Sequence, residues 1–266
     1  MLLQFNFKNF KSFRDDTTLD LTATKISEYS NHVITIGNEK VLPIAAILGA
    51  NASGKSNVLE AFRYMATYVA NSLNYGGDES KKKGKSEFLS PTPFLLDADS
   101  KDAESSFEVY FISSEENGAK SYNYGFTVNS VGIKEEWLNY KSKTSRGNYK
   151  RIFYRNGSEL DLSGISPKSQ ENLKIALEKE TLIVSLGSKL KIAKLKLIRD
   201  WFMDNELADL AVQLKISSYQ SNSQMILWKT KMFRIESSNT SHRLTPQLLA
   251  LKSNQLKVMM TRNPLE

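Results

Sequence analysis

Apolar and polar residues alternate from the start of the chain. Leu3, Phe5 and Phe7 are each followed by a polar residue, and Leu19 and Leu21 repeat the pattern after a polar turn at Arg14-Asp15-Asp16. A period of two predicts half-buried strands, here a hairpin joined through Asn9-Phe10-Lys11-Ser12-Phe13. Phe5, Phe7 and Phe10 read as core, whereas Lys11, Ser12 and Arg14 sit on the turn, where they are free to meet a ligand. A different pattern follows at Val41-Leu42-Pro43-Ile44-Ala45-Ala46-Ile47-Leu48. A short, almost continuous apolar run of this kind predicts a parallel strand buried on both faces. Val58, Leu59, Phe62, Met65, Val69 and Leu73 then recur at three- and four-residue steps, which gives one apolar face of a helix.

Residues 74–93 read as loop: Gly76-Gly77, Lys81-Lys82-Lys83-Gly84-Lys85 and Ser90-Pro91-Thr92-Pro93 are breakers and charge rather than periodic pattern. The lysine cluster could touch a nucleic-acid backbone, but reads first as a solvated loop. Strands are expected at 107–112, 122–128, 133–140 and 152–154, the last ending in the turn Arg155-Asn156-Gly157. Together they form an antiparallel meander. Tyr122, Tyr124 and Phe126 could stack on nucleic-acid bases, but aromatic rows in a sheet read first as core. From Ser166 the pattern is helical. The stretch Leu190-Lys191-Ile192-Ala193-Lys194-Leu195-Lys196-Leu197-Ile198 suits either a surface- or partner-binding helix or a core-facing helix with a lysine outer face. Beyond about residue 216 the chain is rich in Ser, Asn and Thr, with poor periodicity around Trp228, Phe233 and Val258. The expected organisation is therefore a core over residues 1–165, a helical segment over 166–215 and a poorly patterned tail over 216–266.

Composition narrows the classes. The 266 residues can bury a substantial core. Thirty-six Lys and Arg against twenty-nine Asp and Glu give a net charge of +7, which admits nucleic acid or an acidic partner and requires neither. Without cysteine there is no disulfide framework, zinc ribbon or thiol chemistry. The first residues lead into strand alternation rather than a secretion signal. No apolar run approaches the roughly 20 residues of a membrane span. A cytoplasmic protein with no membrane partner is expected.

The chemistry concentrates at Gly49-Ala50-Asn51-Ala52-Ser53-Gly54-Lys55-Ser56, a phosphate-binding loop of the form G-x-x-x-x-G-K-[ST]. The glycines let the backbone wrap a polyphosphate so that successive N–H groups face its oxygens. Lys55 places a charge on the β- and γ-phosphates, and the Ser56 hydroxyl ligates the bridging Mg²⁺. The helix that follows turns its positive dipole end toward the same anion. An expected apolar strand before the loop and an amphipathic helix after it supply the required setting. A nucleoside triphosphate is the expected ligand. A small P-loop kinase would carry its loop nearer the N-terminus and an Arg-rich lid later. A GTPase would carry N-K-x-D, which does not occur.

The loop through Asn57, with Leu59-Glu60-Ala61-Phe62 after it, resembles the P-loop of the ABC/SMC/RecF group of ATPases. Phe7-Lys8-Asn9-Phe10-Lys11-Ser12-Phe13 is similar to that group's first hairpin. Within the group the chain resembles the bacterial AAA-type ATP-binding proteins of abortive-infection and other phage-defence operons. Weaker likeness to their middle segment lies at 180–186 and 199–202, and the resemblance spans roughly residues 1–215. It implies an α/β fold, an ABC/SMC-like P-loop NTPase half-domain with a mixed sheet, an antiparallel β meander and a helical segment. It also implies ATP with Mg²⁺, adenosine-side contacts near Lys11, Ser12 and Arg14, a phosphate cradle from Asn51 through Ala52, Ser53 and Gly54 to Lys55, and the metal on Ser56. Asn57 matches the group's usual residue after the loop serine.

The group's other half departs. Hydrolysis there uses a strand of four apolar residues ending in Asp-Glu, yet 182–186 carries no acid and Leu207-Ala208-Asp209-Leu210 lacks both the run and the Glu. The signature L-S-G-G-[EQ] is missing, and Leu162-Ser163-Gly164-Ile165 only mimics its start. Neither His32 nor His242 suits the γ-phosphate-sensing histidine. No catalytic residue is therefore assigned. The expectation is the N-terminal half of such an ATPase, truncated or frame-shifted. A homodimer or a complementing ATPase half, and a nuclease or toxin effector, are its expected partners. A nucleotide-binding regulatory module without turnover is the rival.

Overall fold

The computed structural model describes residues 1–24, 30–37, 39–75, 89–115, 118–142, 148–157 and 159–204. The expectations placed on the Lys81–Lys85 cluster, on Leu207–Leu210, on His242 and on the 216–266 tail lie outside the described residues. The fold is α/β, with a sheet that is antiparallel throughout its described pairs and several helices on one face. Strands β1 (Leu2–Lys8) and β2 (Thr17–Asp20) form the expected hairpin, with Phe5 opposite Leu19. β5 (Ser105–Glu115), β6 (Gly118–Asn129), β7 (Gly132–Ser142), β8 (Lys150–Asn156) and β9 (Glu159–Asp161) make the meander, and the sheet runs β2-β1-β5-β6-β7-β8-β9. A separate two-stranded ribbon joins β3 (Ile34–Ile36) to β4 (Glu39–Val41), also antiparallel.

Two expectations need correction. The run Val41–Leu48 does not form a parallel strand: Val41 closes β4, and residues 44–48 belong to no strand. The sheet is accordingly not mixed among the described residues. The run keeps one buried flank, since Ala45 and Ile47 are buried, while Ile44 and Leu48 are 49% and 58% exposed. A strand exists by hydrogen-bonding a neighbour. Among the described residues no strand lies alongside this segment, so its apolar pattern yields an extended strip covered on one flank.

Helix α1 (Lys55–Asn71) lies on the sheet with Val58, Phe62, Met65 and Val69 buried, as the periodicity predicts. Its aromatic contacts bind it to both halves of the sheet. Phe62 meets Phe5 edge-on with centroids 5.2 Å apart, Tyr64 meets Phe107 at 4.8 Å, and Tyr68 meets Phe126 at 5.3 Å. Phe5, Phe7, Phe10, Tyr122, Tyr124 and Phe126 are all buried, so both aromatic rows are core. After the short helix α2 (Ala98–Asp102) come α3 (Pro167–Ala176), α4 (Ile183–Lys189) and α5 (Ala193–Asp204). α5 buries Leu195, Ile198 and Phe202, stacks Trp201 on Phe111 at 4.1 Å, and leaves Lys194 and Lys196 outside. The basic stretch is thus a core-facing helix. The apolar residues 182–186 open α4, within the stretch that reads as helical from Ser166.

One buried carboxylate joins these layers. Glu136 on β7 is wholly buried and accepts hydrogen bonds from the N–H groups of Ile183 (2.7 Å) and Val184 (3.2 Å) and from the Tyr124 hydroxyl (3.2 Å). The first N–H groups of a helix have no intrahelical partner, so the carboxylate completes the start of α4. Arg155 on β8 lies beside it, Nε to Oε2 3.5 Å, and donates onward to the carbonyls of Thr181 (2.8 Å) and Glu178 (3.4 Å). Burial pushes the Glu136 carboxyl above its ordinary range, opposed by Arg155 and the two N–H groups. The same segment grips the far end of α1: the Ser185 hydroxyl donates to Val69 O (2.6 Å), the Tyr68 hydroxyl to Glu180 O (2.9 Å), and Leu182 N–H to the Ser72 hydroxyl (3.3 Å). Removing one member of a buried pair strands the other charge. Arg155→Met is therefore expected to destabilise the fold by about 3–5 kcal/mol, and Glu136→Gln/Arg155→Met to recover part of that loss. Urea unfolding of the two variants, followed by circular dichroism, checks the order.

Candidate nucleotide-binding site

Gly54 is the N-cap of α1 and adopts φ +88°, a left-handed conformation that glycine takes without strain. Space is equally restrictive. A Cβ there would lie 2.7 Å from the Ser12 hydroxyl oxygen and 3.2 Å from the Phe13 ring, and one on Gly49 would lie 2.8 Å from the Ser53 hydroxyl. Ala52 also has positive φ (+63°). Positive φ recurring along a short loop is the backbone form from which anion-binding concavities are built. The loop is closed by Ser53 N–H to Ala50 O (3.3 Å), and Asn57 N–H donates to Gly54 O (2.8 Å) as the helix begins. Residues 49–53 and Ser56 are exposed, so the loop faces solvent. Lys55 folds back over the loop, its ammonium donating to the carbonyls of Gly49 (2.8 Å) and Ala50 (2.6 Å).

The hairpin turn is built against this loop. Asn9 and Lys11 both have positive φ (+51° and +52°), and the turn closes through Phe10 N–H to Phe13 O (2.8 Å) and its reciprocal (2.9 Å). Buried Asn9 locks it: its amide donates to the carbonyls of Ser100 (2.9 Å), Ala103 (3.2 Å) and Glu104 (3.3 Å) and accepts from Phe94 N–H (2.9 Å). Lys11 N–H reaches Thr92 O at 2.9 Å.

The structure brings the residues singled out in the sequence together unevenly. Gly49, Asn51, Ala52, Ser53, Gly54, Lys55, Ser56 and Asn57 form one continuous loop and helix start. Ser12 joins them, accepting a 2.7 Å hydrogen bond from the Asn57 amide, and Lys11 pairs with Glu60 one turn further along α1. Arg14 instead turns to its neighbour Asp15, with contacts of 3.0 and 3.3 Å, on the exposed side of the turn. Sequence reasoning gave no role to Glu60 or Asn9. The signal for Glu60 was its place four residues after Ser56, on the same helix face. That for Asn9 was asparagine's tolerance of positive φ. The signature-like Leu162-Ser163-Gly164-Ile165 is a packed connection between β9 and α3, in which a Cβ on Gly164 would lie 2.5 Å from Ile152 Cα. Among the described residues no group of three or more His, Asp or Glu side chains could hold a metal ion, and no helix is long and apolar enough to cross a membrane.

An AAA-type P-loop domain is the class that such a loop and helix on an α/β frame define. Residues 44–183 match the family model described as "AAA domain, putative AbiEii toxin, Type IV TA system". The match covers more than half of the chain, and the chain belongs to this family. Membership makes it an ATPase-like, nucleotide-binding domain of a family associated with abortive infection. No curated protein gives a match to the chain.

Gly54→Ala adds a methyl group where backbone and space both oppose it. It is expected to cost about 1–3 kcal/mol of stability and to loosen the turn from the loop. Thermal unfolding and hydrogen exchange at residues 10–14 read the two effects.

Proposed function

We propose that the chain is an ATP–Mg²⁺-binding subunit of ABC/SMC-like type, the nucleotide-sensing component of a phage-defence (abortive-infection) system, working in the cytoplasm. The observation that carries this reading is the loop 49–57: left-handed at Gly54, closed to any larger residue there, and continuous with the first turn of α1. The residues present fit a triphosphate with its metal. Asn51 through Lys55 would cradle the phosphates with backbone N–H groups, and the Lys55 ammonium would exchange its two carbonyl partners for phosphate oxygens. The Ser56 hydroxyl would hold Mg²⁺, which supplies neutralisation of the charge between the β- and γ-phosphates. The base side falls to the turn bearing Lys11, Ser12 and Arg14, a role drawn from resemblance, with the placement of Ser12 against Asn57 in its favour.

The strip 44–48 supports a partner in the same assembly. It keeps the apolar pattern of a strand covered on both faces, yet Ile44 and Leu48 are exposed and no described strand adjoins it. A complementing ATPase half, or a second copy acting as one, would add the missing neighbour. A separate nuclease or toxin would then be the effector. Nucleic acid stays secondary, because the Lys81–Lys85 cluster is the feature that would favour it. A second reading has one specific observation behind it: residues 182–186, where an acid-bearing strand would be sought, begin helix α4 and carry no acid. On that reading the chain binds nucleotide as a regulatory module without turnover.

Calorimetry on the purified chain tests the binding claim. Lys55→Ala removes a charge-assisted contact worth roughly 1.5–3 kcal/mol and is expected to reduce ATP affinity at least tenfold. Ser56→Ala is expected to weaken binding chiefly when Mg²⁺ is present, and ATP to be preferred over GTP. Equal ATP affinity for Lys55→Ala and wild type would overturn the assignment. Turnover by the chain alone is expected to stay well below about 1 s⁻¹, measured as phosphate release. A faster rate that Lys55→Ala abolishes would mean that this chain holds a complete catalytic set.

A further inference from the structure

We propose that Glu60 and Asn57 are positioning residues. They latch the hairpin turn onto the first two turns of α1, and the latch sets how tightly the phosphate loop holds its nucleotide. The inference rests on the nucleotide reading above and adds to it two side chains with a definite task.

The argument begins with strain. Lys11 is a long, unbranched residue held at φ +52°, where only glycine and asparagine sit comfortably. Such a conformation persists only where its surroundings over-determine it. Here they do: Asn9 fixes the turn from below through four hydrogen bonds, and Lys11 N–H is held by Thr92 O. What this arrangement achieves is the direction of two side chains toward α1. The Lys11 ammonium pairs with the Glu60 carboxylate, and the Ser12 hydroxyl accepts from the Asn57 amide at 2.7 Å.

Beside the Ser12 tie lies Gly54, the left-handed residue that starts the helix, with Ser12 and Phe13 against it. Phe13 is itself anchored edge-on to Phe7 of β1 at 4.9 Å. The turn therefore forms a wall behind the loop's second glycine, fixed to the sheet on one side and to α1 on the other. Residues 57 and 60 lie on adjacent turns of one helix face, so both ties hold the same surface of α1. If either is released, Gly54 gains the room the wall denied it, and the loop before it loses its fixed form. A pre-set cradle binds more tightly than one that must be ordered on binding.

The test is a double-mutant cycle on the full chain, read by calorimetry with MgATP and by thermal unfolding. Glu60→Gln and Asn57→Ala are each expected to weaken MgATP binding about three- to fivefold, with a thermal midpoint within about 3 °C of wild type. In a Lys11→Met background, Glu60→Gln is expected to have no further effect on affinity. Hydrogen exchange at residues 10–14 is expected to rise in Glu60→Gln. Unchanged affinity in Glu60→Gln, or a loss that persists in full in the Lys11→Met background, would overturn the latch while leaving nucleotide binding intact. Lys55→Ala in the same series separates the two claims. If it binds MgATP as wild type does, the nucleotide reading fails, and the latch with it.

Discussion

The placement of α1, on which the loop depends, rests on the burial of one charge. Glu136 could not remain ionised in an apolar interior without partners, and the fold surrounds it with a guanidinium, a phenol and the first two N–H groups of α4. Satisfying that carboxylate brings β7, β8 and the segment 178–185 to one point. The segment in turn holds α1 at its far end through Tyr68, Val69 and Ser72. A helix fixed at its C-terminal end and packed along its length on Phe5, Phe107 and Phe126 has little freedom at its N-terminus. The loop inherits its place from a polar joint at the other end of α1.

The outer face of the sheet contributes in a second way. Glu108 accepts from Asn6 on β1 (2.8 Å), Asn123 on β6 (2.7 Å) and the Trp137 indole on β7 (3.2 Å), and Asn139 continues the row by donating to Asn123 at 2.9 Å. One carboxylate thus ties three neighbouring strands to its own. The hairpin turn projects from β1 within this stiffened frame. A turn containing two positive-φ residues keeps its form on a mobile strand less easily than on one held by ring stacking beneath and hydrogen bonds above.

Much of this was legible in the sequence because periodicity reports burial directly. Alternation gave the hairpin and the meander, three- and four-residue spacing gave α1, and the aromatic rows proved to be core. The run 41–48 misled for an instructive reason: apolar continuity records that both flanks are suited to burial, while a strand needs a hydrogen-bonding neighbour that the run itself cannot specify. Residues 182–186 fall within the stretch that reads as helical from Ser166, and Glu136 offers the acceptors that start α4 there. At the site, the glycines and Lys55 stood out because their chemistry is local. Glu60 and Asn9 did not, because their partners lie 49 and about 90 positions away in the chain.

Lys55 gives the loop a further property. Its ammonium already rests on the carbonyls of Gly49 and Ala50, so an arriving polyphosphate competes with two backbone dipoles for the same cation. Association at such a loop is a partner exchange, and the free energy gained is the difference between two sets of contacts. A short or weakly charged anion offers little advantage over the carbonyls it replaces, whereas one that also spans the helix start and the loop's N–H groups does. On the nucleotide reading proposed above, the loop's hold on its own lysine would lower the affinity of every anion by the same amount, so that only one making those additional contacts would bind well.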